Sequence, residues 1–337
     1  MSIFSFIVRR LTFQLFVLFG VLTITFFISH IIPGDPALLL AGPKASPEII
    51  AKLRKDLGLD QPLFRQFVIY VSHVARGDLG TSVLTRRSVA QDIVERFPAT
   101  FELVTVAMFV ASLLGILGGV LSAVYKDRWV DHLFRLLGIA GSSMPIFWFG
   151  LIMIYLFYTR LGWLPGGGRI SMYTSISQKI TGLYLVDALL TGDFAAFKSA
   201  ILHLILPVIV LSFATVSSIL RLVRACMLEV LSQDYIRVAL AKGLHERRVV
   251  FIHALRNALI PALTVLGVTY AELLQGAVIT ESLFAWPGMA RYAVSSMTYL
   301  DYPAIMGLTL ISAVVYTFMN LVVDILYGVI DPRIRYD

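Results

Sequence analysis

An all-α polytopic membrane protein, with six transmembrane helices and both termini cytoplasmic, is the fold class this sequence predicts. Three observations predict it. The first is composition: hydrophobic residues make up 58% of the 337, charged residues only 15%, and the mean hydropathy is +0.82. A soluble domain of this length carries more charge. The second is six apolar runs, Leu11–Ile32, Leu103–Tyr125, Leu136–Thr159, Ser199–Leu220, Ala258–Thr280 and Tyr302–Val323, each of 22 to 24 residues. A helix needs about 20 residues to cross the hydrocarbon core, so each run can span. His30, His203 and Glu272 are the only His, Asp, Glu, Lys or Arg within them. The third is the placement of Lys and Arg in the connecting segments.

That placement sets the orientation. With the N-terminus inside, the inner segments hold Arg9, Arg10, Lys126, Arg128, Arg135, Arg221, Arg224, Arg237, Lys242, Arg247, Arg248, Arg256, Arg333 and Arg335. The short outer segments hold Arg160, Arg169, Lys179, Lys198 and Arg291. Fourteen against five is the positive-inside asymmetry, and the long loop after the first run is largely exempt from that rule. A net charge of +7 is therefore read as a topology signal, not as a nucleic-acid footprint.

In chain order, residues 1–32 form the first transmembrane helix. Its apolar run is too long for a secretory h-region and no Ala-x-Ala site follows, so it reads as uncleaved. Residues 33–95 form an outer loop too long to lack structure. Ser46 suits an N-cap with Pro47 in the first turn and Gly58 after the end. Asp60 suits the start of a second helix, with Leu63, Phe64, Phe67, Val68, Val71 and Val74 at helical spacing. Ser88 suits the start of a third, stopped before Pro98. The loop is either a helical cap with a role in binding or a packing insert.

Residues 96–328 form the core membrane domain, and 329–337 a cytoplasmic tail. In the second run Gly115, Gly118 and Gly119 lie on or near one face, where small residues let helices approach closely in lipid. Pro145 in the third run leaves a carbonyl unbonded and predicts a kink; Pro207 in the fourth does the same. Such kinks serve either as hinges or as static bends. Trp163 to Gly168 is a turn-rich segment at the membrane edge, either a docking point for an outer partner or a connector.

Glu272 is the sharpest single residue. An ionised group near the bilayer centre costs about 3 kcal/mol, so it faces protein or water. Thr269 and Gln275 share its helical face. The stripe Thr269, Glu272, Gln275 and Gly276 either lines a substrate path, where a carboxylate attracts an ammonium, or makes structural hydrogen bonds. His30 and His203 read as interfacial or packing residues. Glu102 and Glu281 flank helices at the outer face, where solvation is easy, and border the entrance to such a path. The single cysteine, Cys226, excludes an internal disulfide and any multi-cysteine metal site. Neither a catalytic group nor a metal site is expected. There is no Gly-x-Ser-x-Gly, no His-Glu-x-x-His and no phosphate-binding Gly-Lys loop; Gly42-Pro43-Lys44 lacks the first glycine and a backbone donor.

Between the fourth and fifth runs lies Ser232–Pro261, rich in Lys and Arg and therefore aqueous. Asp234 to Lys242 predicts a short helix, and Gly243 its stop. A second helical pattern starts at Glu246. A short helix held between two membrane helices has the shape to transmit force to a soluble partner.

Here the chain resembles the permease subunits of bacterial ABC importers. Ala239, Gly243 and Pro261 fit that family's EAA loop. Arg237-Val238-Ala239 stands where Glu-Ala-Ala is usual, and Leu255-Arg256 where Leu-Pro is usual. The variant resembles the dipeptide, oligopeptide and nickel subfamily. The likeness extends along the chain: Pro33-Gly34-Asp35-Pro36, Leu57 to Pro62, Gly77-Asp78-Leu79-Gly80, Pro98 to Leu103, Ser143 to Trp148, Glu281 to Gly288, Asp301-Tyr302-Pro303 and Asp331 to Tyr336. It is closest to the first, "B"-type, subunit.

The resemblance implies a type I ABC importer permease fold with a cytoplasmic coupling loop over 223–257. Asp234, Tyr235, Arg237, Ala239, Ala241, Lys242, Gly243, Leu244 and Arg247 would meet a cytoplasmic ATPase. It implies a second, related permease in a heterodimer, two ATPase subunits, and a periplasmic or lipid-anchored substrate-binding protein. This chain itself would bind no cofactor; ATP and Mg would sit on the partner ATPases. The implied cargo is a dipeptide or short oligopeptide, with nickel, glutathione or another small solute as the alternative. A self-standing secondary transporter would need inverted repeats or several buried charges, and neither appears in the sequence.

Overall fold

The computed structural model describes residues 3–31, 36–41, 45–56 and 58–330. Among these the chain is helical, and its one β-type pairing is an isolated antiparallel bridge between Thr81 and Ser88. Pro33-Gly34-Asp35, Gly42-Pro43-Lys44, Leu57 and the tail motif from Asp331 lie outside the described residues.

The first helix, α1 (Ile3–Ile31), is followed by three short ones, α2 (Pro36–Ala41), α3 (Pro47–Asp56) and α4 (Leu63–Ala75). Ser46 Oγ accepts from Ile49 N at 3.4 Å at the start of α3. At its end Gly58 has φ +67°, and Gly58 N and Leu59 N donate to Lys55 O and Arg54 O, the paired bonds of a glycine helix stop. The next helix begins after Pro62, not at Asp60. The Gln66 amide turns back onto Leu59 O and Gln61 O, so the chain through Asp60 is a turn held from inside α4. Phe26 packs on Phe67 and Tyr70 at centroid distances of 5.3 and 5.7 Å, which lays α4 against α1.

The long helix α5 (Val89–Val124) does not stop at Pro98. A proline inside a helix removes one hydrogen bond. Here the carbonyl left over is that of Val94, on an exposed turn where another acceptor partner is cheap to find. The third apolar run behaves in the opposite way. It divides into α6 (Trp129–Ser143) and α7 (Ile146–Met153), the latter continuing in wider π-helical winding over Ile154–Arg160, and the two arms meet at 105°. A residue before proline avoids the helical region. Met144 and Pro145 are accordingly extended, so Pro145 breaks the run rather than kinking it.

A short α8 (Tyr184–Leu190) leads into α9 (Phe194–Leu231), capped by Asp193, which accepts from Ala196 N at 2.9 Å. Pro207 is buried within α9, which runs on unbroken through it. Helices α5 and α9 run in the same direction and form the centre of the bundle. A Cβ on Gly115 would lie 2.7 Å from Ile219, and one on Gly119 2.8 Å from Val223. Both distances are closer than real side chains allow, so the two backbones approach through these glycines.

After α9 come α10 (Asp234–Ala241), α11 (Glu246–Arg248), a π-helical stretch Val249–Ala254, and α12 (Leu255–Gly276). The fifth run therefore ends at Gly276, and its last residues begin α13 (Val278–Leu283). Then follow α14 (Met289–Thr298) and α15 (Tyr302–Ile330). Among the described residues, five helices are long and apolar enough to cross a membrane, and the bent α6–α7 pair makes a sixth if it counts as one span. Arg10 pairs with Asp324 at 2.5 Å, and Gln14 Nε2 donates to Thr317 O. These bonds bring the early part of α1 and the later part of α15 to the same end of the bundle.

Candidate coupling loop and translocation face

The parallel pairing of α5 and α9 places α10 at one end of the bundle and α3–α4 at the other. At the α10 end, Asp234 occupies the first turn, where a negative charge suits the helix dipole. Gly243 has φ +78°. Gly243 N donates to Leu240 O at 2.9 Å and Leu244 N to Ala239 O at 3.3 Å, again the glycine stop. Ile236 is buried against Met227, Val249 and Ala254 and anchors the helix. The opposite face is bare. Tyr235, Val238 and Leu240 are exposed beside exposed Arg237, Ala241, Lys242 and Arg247, while Ala239 and Leu244 are half-buried. Exposed apolar side chains on a helix bordered by cations are what a candidate docking surface requires. Tyr235 Oη also accepts from Asn257 Nδ2 at 2.8 Å, which ties α10 to the foot of α12.

The stripe on α12 begins twelve residues beyond Asn257. Thr269 is half-buried, and Glu272 and Gln275 are exposed on the chain's surface. Gly276 closes the helix. The Glu272 carboxylate has no hydrogen bond or ion pair among the described residues, so no bond within them accounts for it. An unpaired carboxylate on a membrane span faces another protein surface or water. Replacing Glu272 with Gln is expected to lower uptake of cationic-terminus substrates several-fold while the chain assembles normally. Unchanged uptake across a panel of peptides in proteoliposomes would sink the path-lining role.

The other end of the bundle overturns one expectation. Glu102 and Glu281 are not solvated there; both are buried. Glu102 accepts from Arg169 Nη2 at 2.5 Å and from Leu185 N at 2.7 Å. The Arg169 guanidinium stacks 3.6 Å from the Tyr184 ring, so the pair pins the Arg160–Lys198 loop to α5. Glu281 accepts from Thr100 Oγ1 at 2.6 Å and from Arg291 N at 2.9 Å, joining α13, α5 and the start of α14. Trp286 Nε1 donates to Ala99 O. Asp301 accepts from Ser82 Oγ and Leu84 N, and Asp92 from Tyr292 Oη. The motif segments 77–80, 98–103, 281–288 and 301–303 thus lie around one polar seam. Sequence reading found the segments and missed the seam, because most of the partners lie between 67 and 219 residues apart. The available signal was charge beside apolar runs, which demands a partner.

Burial pushes the Glu281 carboxyl above its ordinary range, and hydrogen bonds from Thr100 and Arg291 only partly oppose this. The folded chain therefore holds that proton more tightly than the unfolded chain. The contribution is complete below the ordinary glutamate range and is lost as pH rises through the folded value. As pH rises above the ordinary glutamate range, the wild type is expected to lose more thermal stability than Glu281→Gln. Parallel unfolding profiles of the two proteins would refute this.

At the α10 end, Asp131 is fully buried. It accepts from Ser122 Oγ at 2.5 Å, from Arg224 Nε and Nη2 at 2.8 Å each, and from Asp127 N at 3.0 Å. This fork fastens α6 to α9 two turns before α9 ends. Arg224 entered the sequence analysis only as a topology charge.

A bundle of long apolar helices, with an exposed short helix at one end and an unpaired carboxylate on one span, is by class a polytopic membrane protein. Comparison with known proteins makes this specific. Residues 115–336 match the family model of the binding-protein-dependent transport system inner membrane component, and residues 3–104 match the model of the N-terminal part of such membrane components. The chain belongs to this family, and it is therefore a multi-pass inner-membrane permease and one component of a larger transport system. It is 50% identical to the probable D,D-dipeptide transport system permease DdpB of Escherichia coli, over 99% of this chain and 98% of that protein. It is 45% identical to the di/tripeptide permease DppB of Pseudomonas aeruginosa, over 98% of this chain and 99% of that protein. It is 38% identical to the glutathione permease GsiC of Escherichia coli, over 98% of this chain and 99% of that protein. A solved chain of the MetNI methionine ABC transporter in inward-facing conformations superposes with a TM-score of 0.48 at 15% identity, covering 69% of this chain and 94% of that one.

Proposed function

We propose that this chain is the B-type transmembrane subunit of a type I ABC importer and forms half of the path for dipeptides or short oligopeptides. The observation that carries the reading is end-to-end relationship to D,D-dipeptide and di/tripeptide permeases at 50% and 45% identity. The 38% relationship to a glutathione permease favours a second reading in which the cargo is glutathione.

In this reading six spans place both termini in the cytoplasm. The shared position of early α1 and late α15, set by Arg10–Asp324, and the excess of cations on that side support it. A related permease completes the path, two ATPases dock at the α10 ends, and a periplasmic or lipid-anchored binding protein delivers cargo to the α3–α4 side. This chain supplies no cofactor site; ATP and Mg act on the ATPases. Their closure pushes on the exposed face of α10. The Tyr235–Asn257 bond and the Ile236 anchor pass the motion to α12, whose stripe lies about 20 Å further along the axis at about 1.5 Å per residue. Gly115 and Gly119 hold α5 against α9 as the static frame, while the Pro145 break lets α7 move apart from α6. Pro207 lies within the frame.

The test is gentle affinity purification from native membranes, followed by uptake in proteoliposomes. Two ATPase chains, a second permease and ATP-dependent dipeptide uptake are expected. Uptake without ATP, by a chain that purifies alone, would assign a self-standing secondary transporter. Uptake of glutathione in preference to dipeptides would select the second reading.

A further inference from the structure

At the end of the bundle away from α10, helices α1, α3 and α4, the Leu79-Gly80 turn and the start of α15 enclose a cavity of about 870 Å³. This is the size of a small-molecule site, and the stripe on α12 takes no part in it. Its inner wall is apolar, with Phe26 from α1, Ile69 from α4 and Met306 from α15. Its rim carries Lys55 and Arg65. The Lys55 ammonium has no hydrogen bond or ion pair among the described residues. Arg65 uses Nη1 on Gln61 Oε1 at 3.1 Å, which leaves further guanidinium donors available. The carboxylate among the described lining residues, Asp78, is already engaged by His73 Nδ1 at 3.1 Å and by Gly80 N at 2.9 Å. Among the described residues, the rim is therefore cationic without a matching anion.

The surroundings determine which anion fits. Helix α4 buries none of its residues in the protein, and Phe64 on it is 78% exposed. Its exposed apolar side chains form a patch that lipid could cover. Helix α1 beside it exposes Phe16, Phe19 and Phe27, the side chains of a lipid-facing span. A free phosphate would meet the cations and leave the apolar wall bare. An amphiphile covers both.

We propose that this cavity is a binding site for one anionic phospholipid, with its acyl chain on the Phe26–Ile69–Met306 wall and its phosphate between Lys55 and Arg65. The site would tie α4 to α1 through a lipid.

The probe is phosphatidylglycerol, with phosphatidylcholine as the zwitterionic control, added to the purified transporter complex and read by native mass spectrometry. One retained phosphatidylglycerol per chain is expected, favoured over phosphatidylcholine by roughly tenfold, about 1.4 kcal/mol. The Lys55→Gln/Arg65→Gln variant should retain the two lipids alike; both side chains are on the rim, so folding is not at stake. Ile69→Trp, which fills the apolar wall and keeps the charges, should retain neither. Equal phosphatidylglycerol retention by wild type and the charge variant overturns the proposal. So does displacement of the lipid by inorganic phosphate alone, which would make this a free-phosphate site. Cross-linking of an R65C variant to the binding protein, with no retained lipid, assigns the cavity to a protein partner instead.

Discussion

Asp131→Ala is expected to destabilise the chain by about 3 kcal/mol, the largest single-site loss we anticipate outside the packed core. The carboxylate is fully buried, and four donors converge on it: Ser122 Oγ, Asp127 N and two nitrogens of Arg224. Removing it leaves a guanidinium whose side chain is only 21% exposed without its counter-charge. The partly open side of Arg224 lets water recover some of the loss, which places the estimate at the low end for broken buried pairs. Heat-induced loss of monodisperse protein in detergent measures it. Asp131→Leu/Arg224→Met should recover more of the stability than Asp131→Ala alone, because an apolar pair of closer volume leaves no stranded charge. If the double variant is as unstable as the sum of both single variants, the fork is not a coupled pair and the argument fails.

Gly243→Asp is expected to reduce ATP-driven uptake about tenfold or more while the chain still inserts at normal levels. A Cβ at this position meets nothing within 4 Å, so there is no clash to unfold the bundle. The cost is local. Gly243 sits at φ +78°, where a side-chain-bearing residue pays roughly 1–2 kcal/mol. A carboxylate there also faces the negative end of the α10 dipole. Helix α10 has eight residues, too few to persist without its stop and its Ile236 anchor. A loss of about 1.4 kcal/mol shifts a local equilibrium tenfold. ATPase copurification and ATP-driven uptake are the readouts. Gly243→Asn is the control: asparagine tolerates the left-handed conformation and carries no charge, so it should stay near wild type. Normal coupling in the aspartate variant would remove α10 from the transmission path.

What the sequence made legible was whatever depends on neighbours along the chain. The apolar runs, the Ser46 cap, the glycine stops at Gly58 and Gly243, and the short helix from Asp234 follow from local chemistry. Local chemistry also misled at two prolines. The Pro98 signal to stop was overridden because α5 continues onto packing partners. At Pro145 the same residue type ended a helix outright, because Met144 before it is extended. The candidate site divides in the same way. The short helix of α10 and the stripe on α12 could be drawn from spacing alone, while the partner-facing residues of α10 came from the family resemblance. The seam of Thr100, Glu102, Arg169 and Glu281, the Asp131–Arg224 fork and the Tyr235–Asn257 tie could not.

By itself, then, the sequence determined that this is a multi-span membrane protein with a basic, helix-bearing loop and one carboxylate within an apolar run. Length, hydropathy and charge act through water and lipid, which every segment meets independently. Only the tertiary structure decided which polar groups are partners. A buried carboxylate is tolerable only if a donor from elsewhere reaches it, and which donor does so is set by how α5, α9 and α13 pack. Glu102 and Glu281 therefore look like surface residues in the sequence and are interior bonds in the fold.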